Sequence, residues 1–199
     1  MPYKLHHPGT WNIQDIRPQA TPFALLALLP TYDIDTELLE RHYLIMQKEL
    51  HPDRFVNKSP QEIETAEMMS AWVNRAYTTL KDPVLRAKSL LKIKGCVVDE
   101  GKVLQDAVLL EEALEWRQKL EDLESTKQQE QFQVDLQKAI KSCEHDFSQA
   151  WDQQDQQTLQ QTYLRLSYLM KTLKTYLHKI NSQVQQSLLK KLKSASSNT

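Results

Sequence analysis

The chain has 199 residues, of which 40% are hydrophobic and 26% are charged, so it can form a core in one or two domains. Only three residues are glycine, which argues against an all-β protein rich in tight turns and against a glycine-rich nucleotide loop. The formal net charge of −1 gives no reason to expect nucleic acid or an anionic membrane as a partner. The composition therefore favours an all-α fold.

Cysteine usage and hydropathy indicate where the protein works. Cys96 and Cys143 lie far apart and outside any CxxC pair, so a disulfide framework is not expected. No apolar run reaches the roughly 18 residues of a membrane span, and the first residues lack the apolar region of a secretory signal. We expect a bacterial cytoplasmic protein, with the mitochondrial matrix as the alternative.

The first half of the chain predicts an arm followed by four helices. Residues 1–20 carry three prolines and little periodicity, which is typical of a loosely held arm. A short helix is predicted over about Phe23–Leu29, a second from Asp35 or Thr36 to before Pro52, a third from Ser59-Pro60, and a fourth from Asp82-Pro83 to Gly95. The apolar face of the second is Leu39, Tyr43, Met46 and Leu50. The face of the third is Ala66, Met69, Val73, Ala76 and Leu80.

The second half predicts a three-helix bundle over residues 105–193, after a linker at 95–104 and before a tail at 194–199. Three apolar stripes repeat at about 3.5 residues, as in a bundle or a coiled-coil hairpin. The first is Leu109, Ala113, Trp116, Leu120 and Leu123. The second is Phe132, Leu136, Ala139, Cys143 and Phe147. The third is Leu159, Tyr163, Leu166, Met170, Leu173, Leu177, Ile180 and Val184.

The tripeptide His51-Pro52-Asp53 lies between the second and third predicted helices. Alone it is compatible with a plain turn, because proline fixes φ and aspartate bonds its own backbone. Such a turn also presents an imidazole and a carboxylate at little ordering cost, and Asp53 could accept a bidentate hydrogen bond from a partner arginine. Three nearby basic residues could meet an acidic partner surface or could simply be solvated: Arg41, Lys48 and Arg54. Glutamates on the same helix leave it only weakly basic, which favours a dedicated partner.

The segments HPDRF (51–55) and NRAYTTLKDPVLRA (74–87) resemble those of a J domain, as does the order of helix, HPD loop and helix. J domains bind the ATP-bound form of a DnaK-type chaperone and trigger its ATP hydrolysis. The resemblance implies that His51, Pro52 and Asp53 form the trigger and that basic groups on the preceding helix help docking. The J domain is predicted to span residues 21–94.

The sequence predicts neither a catalytic centre nor a metal site. His51 and Asp53 flank a proline, with no serine or cysteine nucleophile close in sequence and no oxyanion loop. Cys143 and His145 are two apart on a predicted helix and therefore point about 200° apart. His6 and His7 are adjacent but have no obvious third ligand. We therefore expect no catalytic residue, no metal ligand and no cofactor.

The helix predicted over Ala107–Glu124 has more apolar residues than its buried stripe needs. Leu110 and Leu114 lie about 100° from that stripe, are four residues apart and are surrounded by charged residues. Leu164 and Tyr168 form a second pair off the stripe in the last helix. These residues could widen the core or pack on the first domain, or they could form a patch that docks a partner protein.

The segment QDAVLLEEALEWRQKLEDLE (105–124), following the J domain and DPVLRAKSLLKIKG (82–95), resembles the HscB-type co-chaperones, and the similarity covers roughly residues 22–190. Those proteins combine a J domain and a three-helix bundle in an L shape, and carry an IscU-type iron–sulfur scaffold to an HscA-like chaperone. The resemblance implies a scaffold-binding patch at Leu110, Leu114 and Tyr168, with Glu115, Arg117 and Gln118 at its rim. The chain departs from the family at Glu111, often apolar there, and at Gln118, often acidic. It also lacks the N-terminal CxxC pair that binds zinc in some eukaryotic members.

The sequence therefore predicts an adaptor with no reaction of its own. The bundle would bind the scaffold while the J domain stimulates the ATPase of an HscA/DnaK-type chaperone, and a shared chain would raise the local concentration of scaffold. Two alternatives stay open. One is a general J-domain co-chaperone for protein folding, although the chain lacks a Gly/Phe-rich linker and a Cys-rich zinc segment. The other is a structural coiled-coil protein in which the HPD tripeptide is an idle turn.

Overall fold

The structure is a computed structural model that describes residues 20–96 and 106–196, with side chains as far as residue 189. The predicted arm up to residue 19, the linker from residue 97 to 104 and residues 197–199 of the tail lie outside the described residues. The described residues fall into two compact units. The first holds residues up to 96 together with Phe147–Gln160, and the second holds 106–146 and the chain from Gln161 onward. The predicted limits 21–94 and 105–193 remain predictions, and the contacts group Phe147–Gln160 with the first unit.

The first unit contains four α-helices and one 3₁₀ helix before the linker. They are α1 (Pro22–Leu25), α2 (Thr36–Glu49), the 3₁₀ helix (Pro52–Phe55), α3 (Pro60–Lys81) and α4 (Pro83–Ile93). The predicted starts of α2 and α3 are confirmed by their caps. Asp35 accepts hydrogen bonds from the first free N–H groups of α2, and Ser59 forms a capping box with Glu62 at the start of α3.

Helix α1 is shorter than predicted, because the chain turns at Ala27. This residue adopts a φ of 50°, in the left-handed region. The N–H of Leu28 donates to the carbonyl of Phe23 at 2.9 Å, and the N–H of Ala27 donates to that of Ala24 at 3.3 Å. These two bonds are a Schellman closure, which ends the helix at Leu25 although no glycine marks the stop. The predicted end at Leu29 is therefore wrong.

The core of the first unit follows the predicted face of α3 and departs from that of α2. All five predicted residues of α3 are buried: Ala66, Met69, Val73, Ala76 and Leu80. On α2, Leu39, Met46 and Leu50 are buried as predicted, but His42 is buried in place of Tyr43. The His42 ring is satisfied inside the core, because its Nδ1 lies 2.7 Å from the carbonyl oxygen of Leu26.

The corner between the last two helices packs within the first unit. The ring of Phe147 lies 4.9 Å from that of Tyr32, and the guanidinium of Arg86 lies 4.9 Å from the centroid of the Tyr32 ring. The hydroxyl of Ser148 donates to Asp33 at 2.6 Å. An aromatic contact and a hydrogen bond thus join this corner to the segment that leads into α2, and a cation–π contact joins the same segment to α4.

The second unit is built from three helices, as predicted. They are α5 (Ala107–Glu121), α6 (Thr126–Gln153) and α7 (Gln156–Ser196). The corner at residues 147–160, which contains the end of α6 and the start of α7, belongs to the first unit. Helix α5 ends at Glu121, three residues before the predicted limit. The predicted turn in the glutamine-rich stretch is made by two residues, and Gln154 takes a φ of 59° there. The N–H of Asp155 then donates to the carbonyl of Ala150 at 3.0 Å and closes α6.

The core of the second unit contains an aromatic cluster that sets the buried face of α7. The ring of Phe132 lies 5.6 Å from that of Trp116 and 5.2 Å from that of Tyr176, whose hydroxyl donates to the carbonyl of Gln129 at 3.0 Å. Tyr176 is therefore buried, and the predicted core residue Leu177 is exposed. Leu169 is buried in the same way, one position before the predicted Met170. The strict 3.5-residue stripe is wrong along this part of α7, and Val184 is also exposed.

Candidate functional site

The HPD tripeptide forms an exposed turn that is held at its base. Leu50 is buried directly before it, and the N–H of Arg54 donates to the carbonyl of His51 at 3.0 Å within the 3₁₀ helix. The N–H of Asp53 donates to Nδ1 of His51 at 3.3 Å, and this nitrogen lies 3.4 Å from Oδ2 of Asp53. The side chains of His51 and Asp53 are 57% and 86% exposed. The turn therefore presents an imidazole and a carboxylate together to a partner.

Contacts between α2 and α3 brace the helices on either side of this turn. The rings of Tyr43 and Tyr77 stack at 4.0 Å with an angle of 17° between their planes. The hydroxyl of Tyr43 and the amide of Gln47 each donate to Oδ1 of Asn74 at 2.9 Å. The hydroxyl of Tyr77 donates to Glu40. Asn74 and Tyr77, which sequence reasoning used only for resemblance, therefore fix the helices that carry the loop.

The charges around the turn are partly paired. Nη1 of Arg54 lies 2.9 Å from Oε1 of Glu49, so this basic group is tied to the end of α2. Arg41 and Lys48 are exposed, and neither makes an ion pair within the described part of the chain. They are seven residues apart and therefore lie on one face of α2, with the exposed Leu44 between them. Two of the three predicted basic residues are thus available to a partner.

The residues of the predicted scaffold-binding patch differ in exposure. Leu114 is 55% exposed, and Leu110 and Tyr168 are half-buried. Leu164, the other residue noted off the stripe of α7, is only 5% exposed and belongs to the core of the bundle. For Leu164 the core interpretation is therefore correct. The remaining three residues lie on α5 and α7, and we refer to Leu110, Leu114 and Tyr168 as the apolar patch.

The predicted rim residues lie on the exposed side of α5. Arg117 pairs with Glu121 at 3.0 Å, and Glu115 pairs with Lys119 at 3.6 Å, each across one turn of the helix. Gln118 is exposed, as is Glu111 at the position where the sequence departs from the family. Exposed pairs of this kind contribute little to stability, so these groups are free to rearrange against a partner.

Sequence reasoning missed an ion pair beside the apolar patch. Glu112 and Arg165 meet through three hydrogen bonds: Nε of Arg165 donates at 3.2 and 2.9 Å, and Nη2 donates at 2.8 Å. Both side chains are about three-quarters buried, with exposures of 26% for Glu112 and 28% for Arg165. Burial opposes the ionisation of Glu112, but the hydrogen bonds from Arg165 prevail and lower its pKa. No local pattern could reveal a pair that is 53 residues apart.

The hydroxyl of Tyr168 points into the bundle at this ion pair. It is buried and makes no hydrogen bond of acceptable geometry. Burial, and then the neighbouring carboxylate of Glu112, raise the pKa of Tyr168 above its ordinary value. The aromatic ring rather than the hydroxyl is therefore what Tyr168 can offer to a partner.

The described residues offer neither a metal site nor a membrane span. They hold no group of three or more histidine, cysteine, aspartate or glutamate side chains that could bind a metal ion. Burial raises the pKa of Cys143 to about 12, and its thiol donates to the carbonyl of Thr162 at 3.2 Å. His6 and His7 lie outside the described residues. None of the described helices has the length and hydropathy needed to cross a membrane.

The chain is similar to curated bacterial co-chaperones and to one family model. Residues 105–176 match the family described as "HSCB C-terminal oligomerisation domain". A co-chaperone protein HscB homolog of Mannheimia succiniciproducens is 34% identical over 155 residues, which are 75% of this chain and 90% of that protein. The homolog of Shewanella halifaxensis is 41% identical over 102 residues, or 51% of this chain. That match spans 59% of the relative's own length.

Solved structures match the chain over most of its length. The crystal structure of human co-chaperone protein HscB aligns with a TM-score of 0.77 at 26% identity, covering 82% of this chain and 84% of that chain. Chaperone HscB from Vibrio cholerae aligns with a TM-score of 0.75 at 26% identity, covering 82% of this chain and 99% of that chain. These matches confirm the predicted fold class, which is an all-α chain with an N-terminal J domain and a C-terminal helical bundle.

Proposed function

The chain belongs to the HscB family of co-chaperones, and on this premise we propose that it is an adaptor for iron–sulfur cluster assembly. Its bundle binds an IscU-type scaffold through the apolar patch. Its J domain engages an HscA/DnaK-type chaperone through His51, Pro52 and Asp53 and stimulates the partner's ATPase. The adaptor catalyses no reaction itself. The proposed location is the bacterial cytoplasm, because the curated relatives compared above are bacterial.

The observation that carries this proposal is that one chain presents two chemically different surfaces. The HPD turn is polar and exposed, and it is braced by α2 and α3. The apolar patch lies on α5 and α7 and includes a leucine that is more than half exposed. A J domain that acted alone would not need the second surface.

The HPD turn suits a partner that must be recognised quickly and released again. Among the described side chains, only the imidazole of His51 lies within ion-pair distance of Asp53, so the carboxylate can accept two hydrogen bonds from an arginine. Arg41 and Lys48 add positive charge on one face of α2, which speeds encounter with an acidic surface. Because the turn is already ordered, little conformational entropy is lost on binding.

The apolar patch suits a partner that must be held. Leucine and aromatic side chains at the centre of an interface, ringed by polar groups that exclude water, give the strongest contacts in protein complexes. Glu115, Arg117 and Gln118 supply such a ring on α5. When one adaptor holds the scaffold while its J domain engages the chaperone, the scaffold meets the chaperone at a high effective concentration.

The scaffold half of the proposal is tested by calorimetric titration with an IscU-type scaffold. The triple variant Leu110→Ala, Leu114→Ala, Tyr168→Ala should bind at least about tenfold more weakly than the wild type, since interface hot spots each contribute about 2 kcal/mol or more. Val108→Ala is the matched control, because Val108 is 74% exposed on the same helix but outside the patch. Circular dichroism must show that each variant is folded. Equal binding by the wild type and the triple variant would overturn the assignment of the patch.

The chaperone half is tested by measuring ATP hydrolysis by an HscA/DnaK-type chaperone. Asp53→Asn keeps the size of the side chain but removes its charge, and it should abolish the stimulation. Asp152→Asn makes the same change at an exposed aspartate outside the HPD turn, and it should stimulate as the wild type does. Full stimulation by Asp53→Asn would support an idle turn instead.

A third assay separates a dedicated adaptor from a general folding co-chaperone. The protein is mixed with unfolded clients that are unrelated to iron–sulfur assembly, and aggregation is followed by light scattering. We expect no suppression at concentrations that saturate the scaffold. Suppression as effective as scaffold binding would favour the general co-chaperone.

A further inference from the structure

The ion pair between Glu112 and Arg165 joins α5 to α7 at the level of the apolar patch. Glu112 lies between Leu110 and Leu114 in the chain, and Arg165 lies three residues, or one helical turn, before Tyr168. The hydroxyl of Tyr168 is buried beside the same carboxylate, which contributes to the rise of its pKa. The pair thus joins the helix that carries Leu110 and Leu114 to the helix that carries Tyr168.

Burial of the ion pair costs free energy, but its hydrogen bonds fix the relative position of the two side chains. Removing two charges from water opposes their attraction, and buried ion pairs can often be replaced by apolar residues without loss of stability. Arginine, however, binds a carboxylate through a planar fork, which permits only one relative placement of the two groups. The three hydrogen bonds between 2.8 and 3.2 Å have this arrangement.

We propose that Glu112 and Arg165 are positioning residues that fix the register of α7 against α5 and so set the position of Tyr168 relative to Leu110 and Leu114. The inference rests on the proposed function, in which these three side chains bind the scaffold. A slip of α7 by one residue would rotate its side chains by about 100° and move them by about 1.5 Å along the axis. Either change would separate the two halves of the patch.

Preorganisation is the reason that such a device affects affinity. If the two helices that carry a patch can slide, binding must order them and therefore loses conformational entropy. A register that is already fixed in the free protein avoids this loss. Another polar tie between the two helices, from Nζ of Lys179 to the carbonyl of Leu120 at 2.6 Å, lies at the far end of α5.

The test compares three variants of the full chain with the wild type. Glu112→Gln with Arg165→Met removes both charges at nearly constant size. Arg165→Lys keeps the charge but loses the fork. Lys179→Met breaks the other tie between α5 and α7 and is the matched control. For each protein we would measure the scaffold affinity by calorimetry, the thermal midpoint, and the methyl NMR signals of Leu110 and Leu114.

We expect the double variant to keep a thermal midpoint close to that of Lys179→Met but to bind the scaffold about tenfold more weakly, with Arg165→Lys in between. The methyl signals of Leu110 and Leu114 should broaden in the double variant and stay sharp in the control. Wild-type affinity in the double variant, or losses that follow the thermal midpoint in all three, would overturn the inference. Sharp, unshifted methyl signals in the double variant would overturn it even if no scaffold bound. Failure of the wild type to bind the scaffold would instead overturn the proposed function.

Discussion

The HPD turn and the apolar patch, the two surfaces proposed for recognition, differ in how a helical protein builds them. The turn is contiguous in sequence, and its residues are exposed because a buried Leu50 and a braced pair of helices hold its ends. The proposed patch draws its residues from α5 and α7, two helices that are joined by an ion pair between residues 53 positions apart. A local motif therefore carries its own geometry, whereas an assembled surface depends on the register of the elements that bear it.

This difference predicts how each surface fails. The turn should be insensitive to small shifts in packing but sensitive to charge and to salt. The patch should be insensitive to salt but sensitive to changes that loosen the contact of α5 with α7. The following experiments test this contrast, beginning with the largest expected effect.

Truncation of the core of the first unit should have the largest effect on stability. Leu39 is 2% exposed in α2, so Leu39→Ala is expected to lower the free energy of unfolding by about 2–5 kcal/mol through lost burial and an unfilled cavity. Denaturant unfolding followed by circular dichroism measures this loss. Stimulation of the chaperone should fall, while scaffold affinity measured on the folded protein should stay within about twofold. A parallel loss of scaffold affinity would contradict the separation of the two surfaces.

Loss of Arg165 alone should reverse the pH dependence associated with Glu112. In the wild type the pKa of Glu112 is lowered, so its contribution is present above the unfolded pKa of about 4.3 and is lost as the pH falls through the folded pKa. In Arg165→Met the carboxyl group of Glu112 stays buried but has lost the guanidinium that paired with it, so its pKa should rise above the unfolded value. The variant should then be destabilised by about 2 kcal/mol at pH 7 and should recover stability as the pH falls toward 4.

The measurement for this prediction is the thermal midpoint of both proteins between pH 3.5 and 7. The control is the double variant Glu112→Gln, Arg165→Met, which has no carboxyl group at this site. Its thermal midpoint should show neither the pH dependence that Glu112 gives the wild type nor the reversed dependence expected in Arg165→Met. Parallel curves for the wild type and Arg165→Met would mean that the pair does not set the ionisation of Glu112.

Salt should affect the two surfaces differently, and the expected difference is smaller than the effects described above. The Debye length falls from about 10 Å at 0.1 M salt to about 3 Å at 1 M, so attraction that involves Arg41 and Lys48 is screened. We expect several-fold weaker stimulation of the chaperone at limiting adaptor concentration, with scaffold affinity unchanged within about twofold. The variant Arg41→Ala with Lys48→Ala should stimulate weakly at low salt and lose little more at high salt. An equal salt dependence of both partners would remove the contrast between them.

The smallest expected effect concerns the hydroxyl of Tyr168. Because this group is buried without a hydrogen bond, Tyr168→Phe should raise the free energy of unfolding by up to about 1 kcal/mol. The ring is retained, so scaffold affinity should not change. Denaturant unfolding and calorimetry measure the two quantities, with Tyr176→Phe as the comparison, since the Tyr176 hydroxyl donates to a backbone carbonyl and its loss should destabilise. A destabilised Tyr168→Phe would show that the hydroxyl is satisfied in solution.

Local signals allowed much of the fold to be predicted from the sequence. Ser59 followed by Pro60 and Glu62 marks the start of α3, and the spacing of Ala66 to Leu80 identifies its buried face, because caps and helical periodicity act over a few residues. The prediction of α1 was wrong at its end, since Ala27 adopts a conformation that is usually left to glycine. Tyr176 takes a core position from Leu177 because an aromatic cluster spanning three helices decides the local rotation of α7.

The candidate site divides in the same way. The HPD turn could be located from three consecutive residues and the helices that flank them. The residues of the apolar patch could be identified because they are apolar positions outside the buried stripe and because they match the family. Their exposure could not be predicted, as the burial of Leu164 shows. The pair of Glu112 and Arg165 was not predictable, because either residue alone resembles an ordinary charge on a solvated helix face.

The burial of Cys143 bears on the cargo that the proposed adaptor would accompany. A thiol must lose its proton before it can ligate iron, and burial holds this one in the protonated form well above neutral pH. Its sulfur also has no solvent-exposed surface from which to approach a bound cluster. A bundle that holds a cluster-bearing protein, as proposed, would therefore not offer the sulfur of Cys143 as a rival ligand for the metal.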